Sequence, residues 1–162
     1  MMLSASHALA ESANQREAFV KGAFILNFSQ YIIPKTPQKN NLVCFIGKGD
    51  IAISATEIQK KKKYLFDDTE LVIKEPNDPL NTCNIIFIGH SRAGNMQNVL
   101  YKAKQIGAVT ISDLKGFIGR GGAIEFVHVE NRLGFTIALR NIDRSKVHVS
   151  AKLIEIAEEV TY

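Results

Sequence analysis

The segment Cys83-Asn84-Ile85-Ile86-Phe87-Ile88-Gly89 has no room for a polar face. An apolar run of this length, entered from Asn81-Thr82 and left through a glycine, predicts a strand covered on both sides. Such strands belong to parallel sheets whose crossover helices supply the cover, and the rest of the chain has to satisfy that constraint. Ser91 to Leu100 has the spacing of one such helix, with the Ser91 hydroxyl placed to cap it. Leu42-Val43-Cys44-Phe45-Ile46-Gly47 repeats the pattern: it is apolar, closes on a glycine, and is followed by Asp50 at an N-cap position and a helix to about Lys62. Two strand-to-helix units thus lie side by side, each carrying one of the chain's two cysteines.

The remaining elements follow from periodicity. From Arg16 to Ile33, residues Phe19, Ala23, Leu26 and Phe28 recur near helical spacing, and Val20, Phe24, Ile25 and Tyr31 widen the stripe. A helix apolar over most of its circumference needs sheet on one side and other cover on the opposite side, and Pro34 ends it. Glu70 to Lys74 reads as a short strand closed by Pro76 and Pro79, and Gly107 to Ser112 as another buried strand. A glycine-rich loop, Asp113 to Gly122, comes next. Ala123 to Val129 and Leu133 to Leu139 then flank Glu130-Asn131-Arg132 as a hairpin whose cleaner alternation predicts one solvent-facing side. Asn141 to Ser145 suits a helical turn, and Ser150 caps a last helix with Leu153, Ile154, Ile156 and Ala157 on its buried face. The expected fold is an α/β three-layer sandwich. Its sheet is mostly parallel, an antiparallel C-terminal hairpin closes one edge, and helices cover both faces. Residues 16–162 form the domain, and residues 1–15 precede it as a leader.

Composition narrows the function classes. With 162 residues the chain can bury a core without metal or many cross-links. A net charge of +4, scattered except for Lys60-Lys61-Lys62-Lys63, argues against nucleic acid as a partner, because that run falls where cations complement a helix C-terminus. No run approaches the roughly 18 apolar residues of a membrane span. Ala8-Leu9-Ala10 before Glu11 has the small-x-small form of a secretory cleavage site, without the charged and apolar regions that precede one. It reads either as the tail of a signal peptide or as a disordered polar leader.

Three constellations bear on chemistry. Cys44 and Cys83 occupy equivalent places in neighbouring units and lack the paired spacing of a zinc site; they are either a disulfide or two buried thiols, according to compartment. Gly89-His90-Ser91-Arg92-Ala93 resembles a nucleophile elbow, with Asp113 and His128 following in hydrolase order. However, Ala93 replaces the last glycine and His128 falls on a predicted strand, so a helix cap accounts for Ser91 better. Gly116 to Gly122 has the glycine content of a phosphate cradle, but a strand follows where a helix should, so a turn needing positive φ is preferred. Phe117 and Arg120 in that loop have the character of interface anchors, with burial of Phe117 in the core as the alternative. The four histidines are scattered, and neither a metal nor a cofactor is assigned.

Taken in order, these residues resemble the YfiR/HmsC-like family of periplasmic proteins from about Glu17 onward. The resemblance lies in Lys21-Gly22-Ala23-Phe24-Ile25-Leu26-Asn27-Phe28 with Tyr31 and Pro34, and in the two cysteine strands. It continues through Gly116-Phe117 with Gly121-Gly122-Ala123-Ile124-Glu125-Phe126, then Phe135-Thr136-Ile137, and ends at Val149-Ser150-Ala151-Lys152-Leu153. Ile33 stands where the family usually has Trp, and a second cysteine pair carried by some members is missing. The resemblance implies a non-enzymatic periplasmic inhibitor, secreted through a signal peptide largely absent from this chain. It would restrain a membrane-bound diguanylate cyclase of the YfiN type and be relieved by a YfiB-like outer-membrane lipoprotein. In that way it would govern cyclic di-GMP and biofilm formation. In that oxidising compartment the Cys44–Cys83 disulfide is expected, closing a loop of about 40 residues and contributing roughly 3 to 4 kcal/mol. We place the partner surface on the exposed remainder of the first helix and on the glycine-rich loop, at Asn27, Tyr31, Phe117 and Arg120; a homodimer would use the same apolar excess. Two other classes stand as alternatives: a periplasmic small-molecule sensor with its ligand at the carboxyl ends of the strands, and a small hydrolase using Ser91.

Overall fold

The computed structural model describes residues 3–162. In chain order the elements are α1 (Leu3–Tyr31), β1 (Ile32–Pro34), β2 (Asn41–Ile46), α2 (Asp50–Lys61), β3 (Thr69–Lys74), β4 (Ile85–Phe87), α3 (Met96–Ile106), β5 (Val109–Ser112), β6 (Ile124–Val129), β7 (Arg132–Ala138), β8 (Val147–Val149), α4 (Ala151–Ile156) and β9 (Glu159–Thr161). Seven strands make the main sheet in the order β3-β2-β4-β5-β6-β7-β9. Pairing is parallel from β3 to β6, antiparallel within the β6–β7 hairpin, and parallel again where β9 joins β7. The α/β sandwich with a mostly parallel sheet is therefore present as read, and the short strand β9 is added outside the hairpin.

Alternation along the strands divides the core. Val43, Phe45, Ile85, Phe87, Val109 and Ile111 face α1, α2 and α4. Cys44, Ile46, Ile86 and Ile88 face the opposite way, against Met96, Val99 and Ala103 of α3. The first layer explains the wide apolar stripe of α1: sheet covers one flank, and α2 covers another at a close crossing. Gly22 permits that approach, since a Cβ there would lie 2.9 Å from the Ala55 backbone nitrogen. Phe24, Phe28, Phe126 and Phe135 join helix to hairpin, with Phe28 and Phe135 edge-to-face at 4.8 Å. In β6, Ile124 and Phe126 are buried while Glu125 and Val127 are only half-covered, as the alternation predicts. The hairpin turn places Glu130 and Asn131 at φ of 50° and 64°, the signature of a tight two-residue reversal.

Several boundaries differ from the sequence reading. Helix α1 begins at Leu3 rather than Arg16, so the described part of the leader is helical rather than disordered; Met1 and Met2 lie outside the described residues. The helix ends at Tyr31, before Pro34, because Ile32–Pro34 pairs with Val147–Val149. Asn41 fixes this exit: its side-chain amide donates to the carbonyls of Ser29 (2.8 Å) and Ile32 (2.7 Å). Asp50 is the first residue of α2 rather than its cap, a position held by Gly49. Ser91 caps no helix. Residues His90–Asn95 form a 3-10 segment, broken by the non-helical backbone of Arg92, and α3 starts only at Met96. Ser150 does cap α4, accepting from the Lys152 N–H at 3.2 Å. No helix among the described residues is long and apolar enough to cross a membrane.

Candidate functional site

From β2 the chain crosses through α2 to β3 on one side, whereas β4 lies on the other side of β2. Such a reversal parts the loops at the carboxyl ends of the two strands and opens a crevice. Here Gly47-Lys48-Gly49 leaves β2 and Gly89-His90-Ser91-Arg92 follows β4, and between them lies a cavity of about 480 Å³. Its apolar wall includes Phe45 and Phe87, whose ring centroids are 6.0 Å apart. Helix α1 passes over it with Glu17, Ala18 and Lys21.

One polar network holds this end of the molecule together. The Asp113 carboxylate, only 4% exposed, accepts the Lys21 ammonium at 3.0 Å, the His90 backbone N–H at 2.7 Å, and a contact from His90 Nδ1 at 3.0 Å. Burial pushes the Asp113 carboxyl up. The His90 N–H, the Lys21 ammonium and the His90 ring together outweigh burial and hold it below the ordinary carboxylate value. Lys21 also lies 3.4 Å from Glu17, which meets His128 Nε2 at 2.7 Å. Asp113, first residue of the loop after β5, thereby ties α1 to the loop after β4. Sequence reasoning passed over this network, although it left a trace: Lys21 sits inside an apolar helix, and a cation buried there requires an acid partner.

The expected site residues fare differently. Cys44 and Cys83 are bonded, with Cα atoms 5.9 Å apart, and lie in the core layer beneath α3. Phe117 is fully buried in that same layer, which corrects its assignment to a partner surface. Its ring lies directly on Gly122, where a Cβ would overlap it, so Gly122 is required by close approach. Gly116 and Gly121 are required by φ of 83° and 103°. The loop's amides are spoken for: Glu125 accepts the N–H of Gly116 (3.2 Å) and Ile118 (3.0 Å), so a carboxylate of the chain itself fills the cradle. Asn27 is exposed and Tyr31 half-buried on α1, with the Lys152 ammonium 5.9 Å from the Tyr31 ring centroid. Arg120 is exposed on the α3 side of the sheet, beside Lys104 and Arg140, so it does not share a surface with Asn27 and Tyr31. Asp113 and His128 engage Lys21, His90 and Glu17 rather than forming a relay to Ser91.

A family model described as YfiR/HmsC-like matches residues 18–158. No curated protein matches the chain in sequence. Among solved structures, a conserved domain protein from Vibrio cholerae O1 biovar El Tor aligns with a TM-score of 0.57 at 11% identity, over 89% of this chain and 60% of that one. The ABC domain in complex with L-Trp from Streptococcus pneumonia aligns with the same TM-score at 10% identity, over 83% of this chain and 58% of that one. The chain thus spans about 60% of the length of these structures, and at such identities the likeness is one of fold.

Proposed function

Because the chain belongs to the YfiR/HmsC-like family, we propose that it is a non-enzymatic periplasmic regulator that holds a membrane-bound diguanylate cyclase inactive by direct contact. The observation that carries this reading beyond the family is the exposed flank of α1. Residues 5–16 are exposed throughout, and Phe19 remains 53% exposed where the helix reaches the body of the protein. Leu9, Val20, Asn27 and Tyr31 are spaced by 11, 7 and 4 residues, close to whole helical turns, so they share one side. Exposed apolar side chains such as Leu9, Phe19 and Val20, set among polar residues on one helix, are what a partner covers. The cyclase's periplasmic part is the occupant we assign, and a YfiB-like outer-membrane lipoprotein would compete for the chain and relieve the inhibition. Cyclic di-GMP and biofilm formation would rise without this protein touching the nucleotide.

The test is co-expression of the chain with a YfiN-type cyclase and measurement of cellular cyclic di-GMP. Phe19→Glu and Val20→Glu, each at an exposed position and checked for a wild-type melting curve, are expected to release the cyclase. Folded variants that repress as well as wild type would remove α1 from the interface.

A further inference from the structure

The crevice between the loops after β2 and β4 is bordered by α1, but the proposal above makes no use of it. We propose that it binds a small organic anion: an apolar, ring-sized body carrying one carboxylate or phosphate group.

Three features converge on this chemistry. The first is place and size: a cavity of about 480 Å³ at the switch point of a parallel sheet falls within the range of small-molecule sites. The second is its apolar wall, to which Phe45 and Phe87, nearly buried at the carboxyl ends of two adjacent strands, and the half-buried Ile51 of α2 contribute. The third is the fixed charge at its mouth. The Arg92 guanidinium lies against Gly47, so closely that a Cβ on that residue would come within 2.5 Å of Nη2; the glycine both reaches φ of +85° and makes room for the arginine. Its nearest acid, Glu75, is 3.8 Å away and largely exposed, which leaves the guanidinium fork open to a better acceptor. Lys48 stands exposed between the two glycines of the neighbouring loop, and Ser91 lines the same cavity.

The acids of the crevice do not cancel this. Asp113 is bound by Lys21, the His90 N–H and the His90 ring, and Glu17 shares Lys21 and meets His128. Asp50 remains, in the first turn of α2, against the cations Lys48 and Arg92. The α2 N-terminus, capped by Gly49 with no side-chain hydrogen bond, adds peptide N–H groups beside the same opening. The loops therefore present cationic and N–H groups around an apolar floor, which selects an anion with an apolar body over an inorganic ion or a neutral ring.

The experiment is titration of the isotope-labelled oxidised chain, followed by amide NMR, with phenyl phosphate, phenylacetate and benzyl alcohol, each to millimolar concentration. Saturable shifts at Gly47, Gly49, Ile51 and Arg92 with either anion support the proposal, and whichever of the two produces them assigns the group as phosphate or carboxylate. Arg92→Gln, at a half-buried position, and Lys48→Gln, at an exposed one, should each weaken that anion by about tenfold, the equivalent of one charge-assisted hydrogen bond. Benzyl alcohol should leave these amides unmoved. Absence of saturable shifts with both anions overturns the site. Equal shifts with the alcohol, or unchanged affinity in both variants, overturn the anionic specificity. All of these readouts are independent of the cyclase, so they fail or succeed separately from the regulator reading.

Discussion

Replacing Lys21 by Met tests whether the buried network is what holds α1 to the sheet. The ammonium and the Asp113 carboxylate are 3.0 Å apart, with side chains 11% and 4% exposed. At an effective dielectric of about 20 their attraction is about 5.5 kcal/mol before desolvation is charged against it. Removing one member of a buried pair costs about 3 to 5 kcal/mol, because the other is left uncompensated. Asp113 keeps the His90 N–H and ring contact, so we expect the lower end, about 3 kcal/mol at neutral pH, read from urea unfolding with an unchanged m-value. The pH dependence fixes the cause. The folded pKa of Asp113 is depressed from 3.8, so its contribution is fully present above that value and is lost as pH falls through the folded pKa. In the Met variant the stranded carboxylate takes up a proton more readily. The difference between the two proteins should therefore be greatest near neutrality and shrink below about pH 4. A Lys21→Met protein that loses less than about 1 kcal/mol at neutral pH would refute the reasoning, as would a loss equally large at about pH 3.

Two further outcomes are expected. Oxidised protein should show no reactive thiol when unfolded without reductant, and the double Cys44→Ala, Cys83→Ala variant should lose about 4 kcal/mol, the chain entropy of a loop closed across 39 positions; two titratable thiols in the oxidised protein would remove the bond. Phe117→Ala should cost about 3 to 5 kcal/mol through the cavity left beside Gly122 and the disulfide, with no loss of cyclase binding in the fraction that folds, whereas a stable variant that fails to bind would return Phe117 to the interface.

The parallel sheet was legible because its evidence is redundant. Cys83 to Gly89 and Leu42 to Gly47 are apolar on both faces, and only a sheet with helices on either side can use them. The short pairings were not legible. β1, β8 and β9 are each three residues long, and a pattern of period two cannot be recognised over three positions. What makes Ile32–Pro34 a strand is its partner, Val147–Val149, more than a hundred residues away in sequence. Ser91 failed as a cap for a related reason: hydroxyl, spacing and apolar periodicity were all present, but the path from β4 to α3 requires a 3-10 segment with a break at Arg92. Phe117 was ambiguous because a single aromatic among glycines has no period. The glycine that decides the matter, Gly122, acts through close packing rather than through a turn.

The crevice is the place where helix α1 changes character. From Lys21 onward the helix is fixed at three levels: by Asp113, by the Gly22 crossing with α2, and by Asn41 at its exit. Before Glu17 its residues are exposed throughout. The turn that carries Glu17 and Lys21 toward Asp113 and His128 carries Phe19 and Val20 outward, so the last anchored turn also bears apolar residues of the exposed flank. Because the two surfaces share one turn of helix, a group bound in the crevice could alter partner affinity only by a differential interaction with that turn, and linkage then requires the partner to alter the group's affinity by the same factor. Lys21 is the residue through which such an effect would have to pass. It faces the crevice, is bonded to the loop after β5, and lies on α1 directly beside Val20.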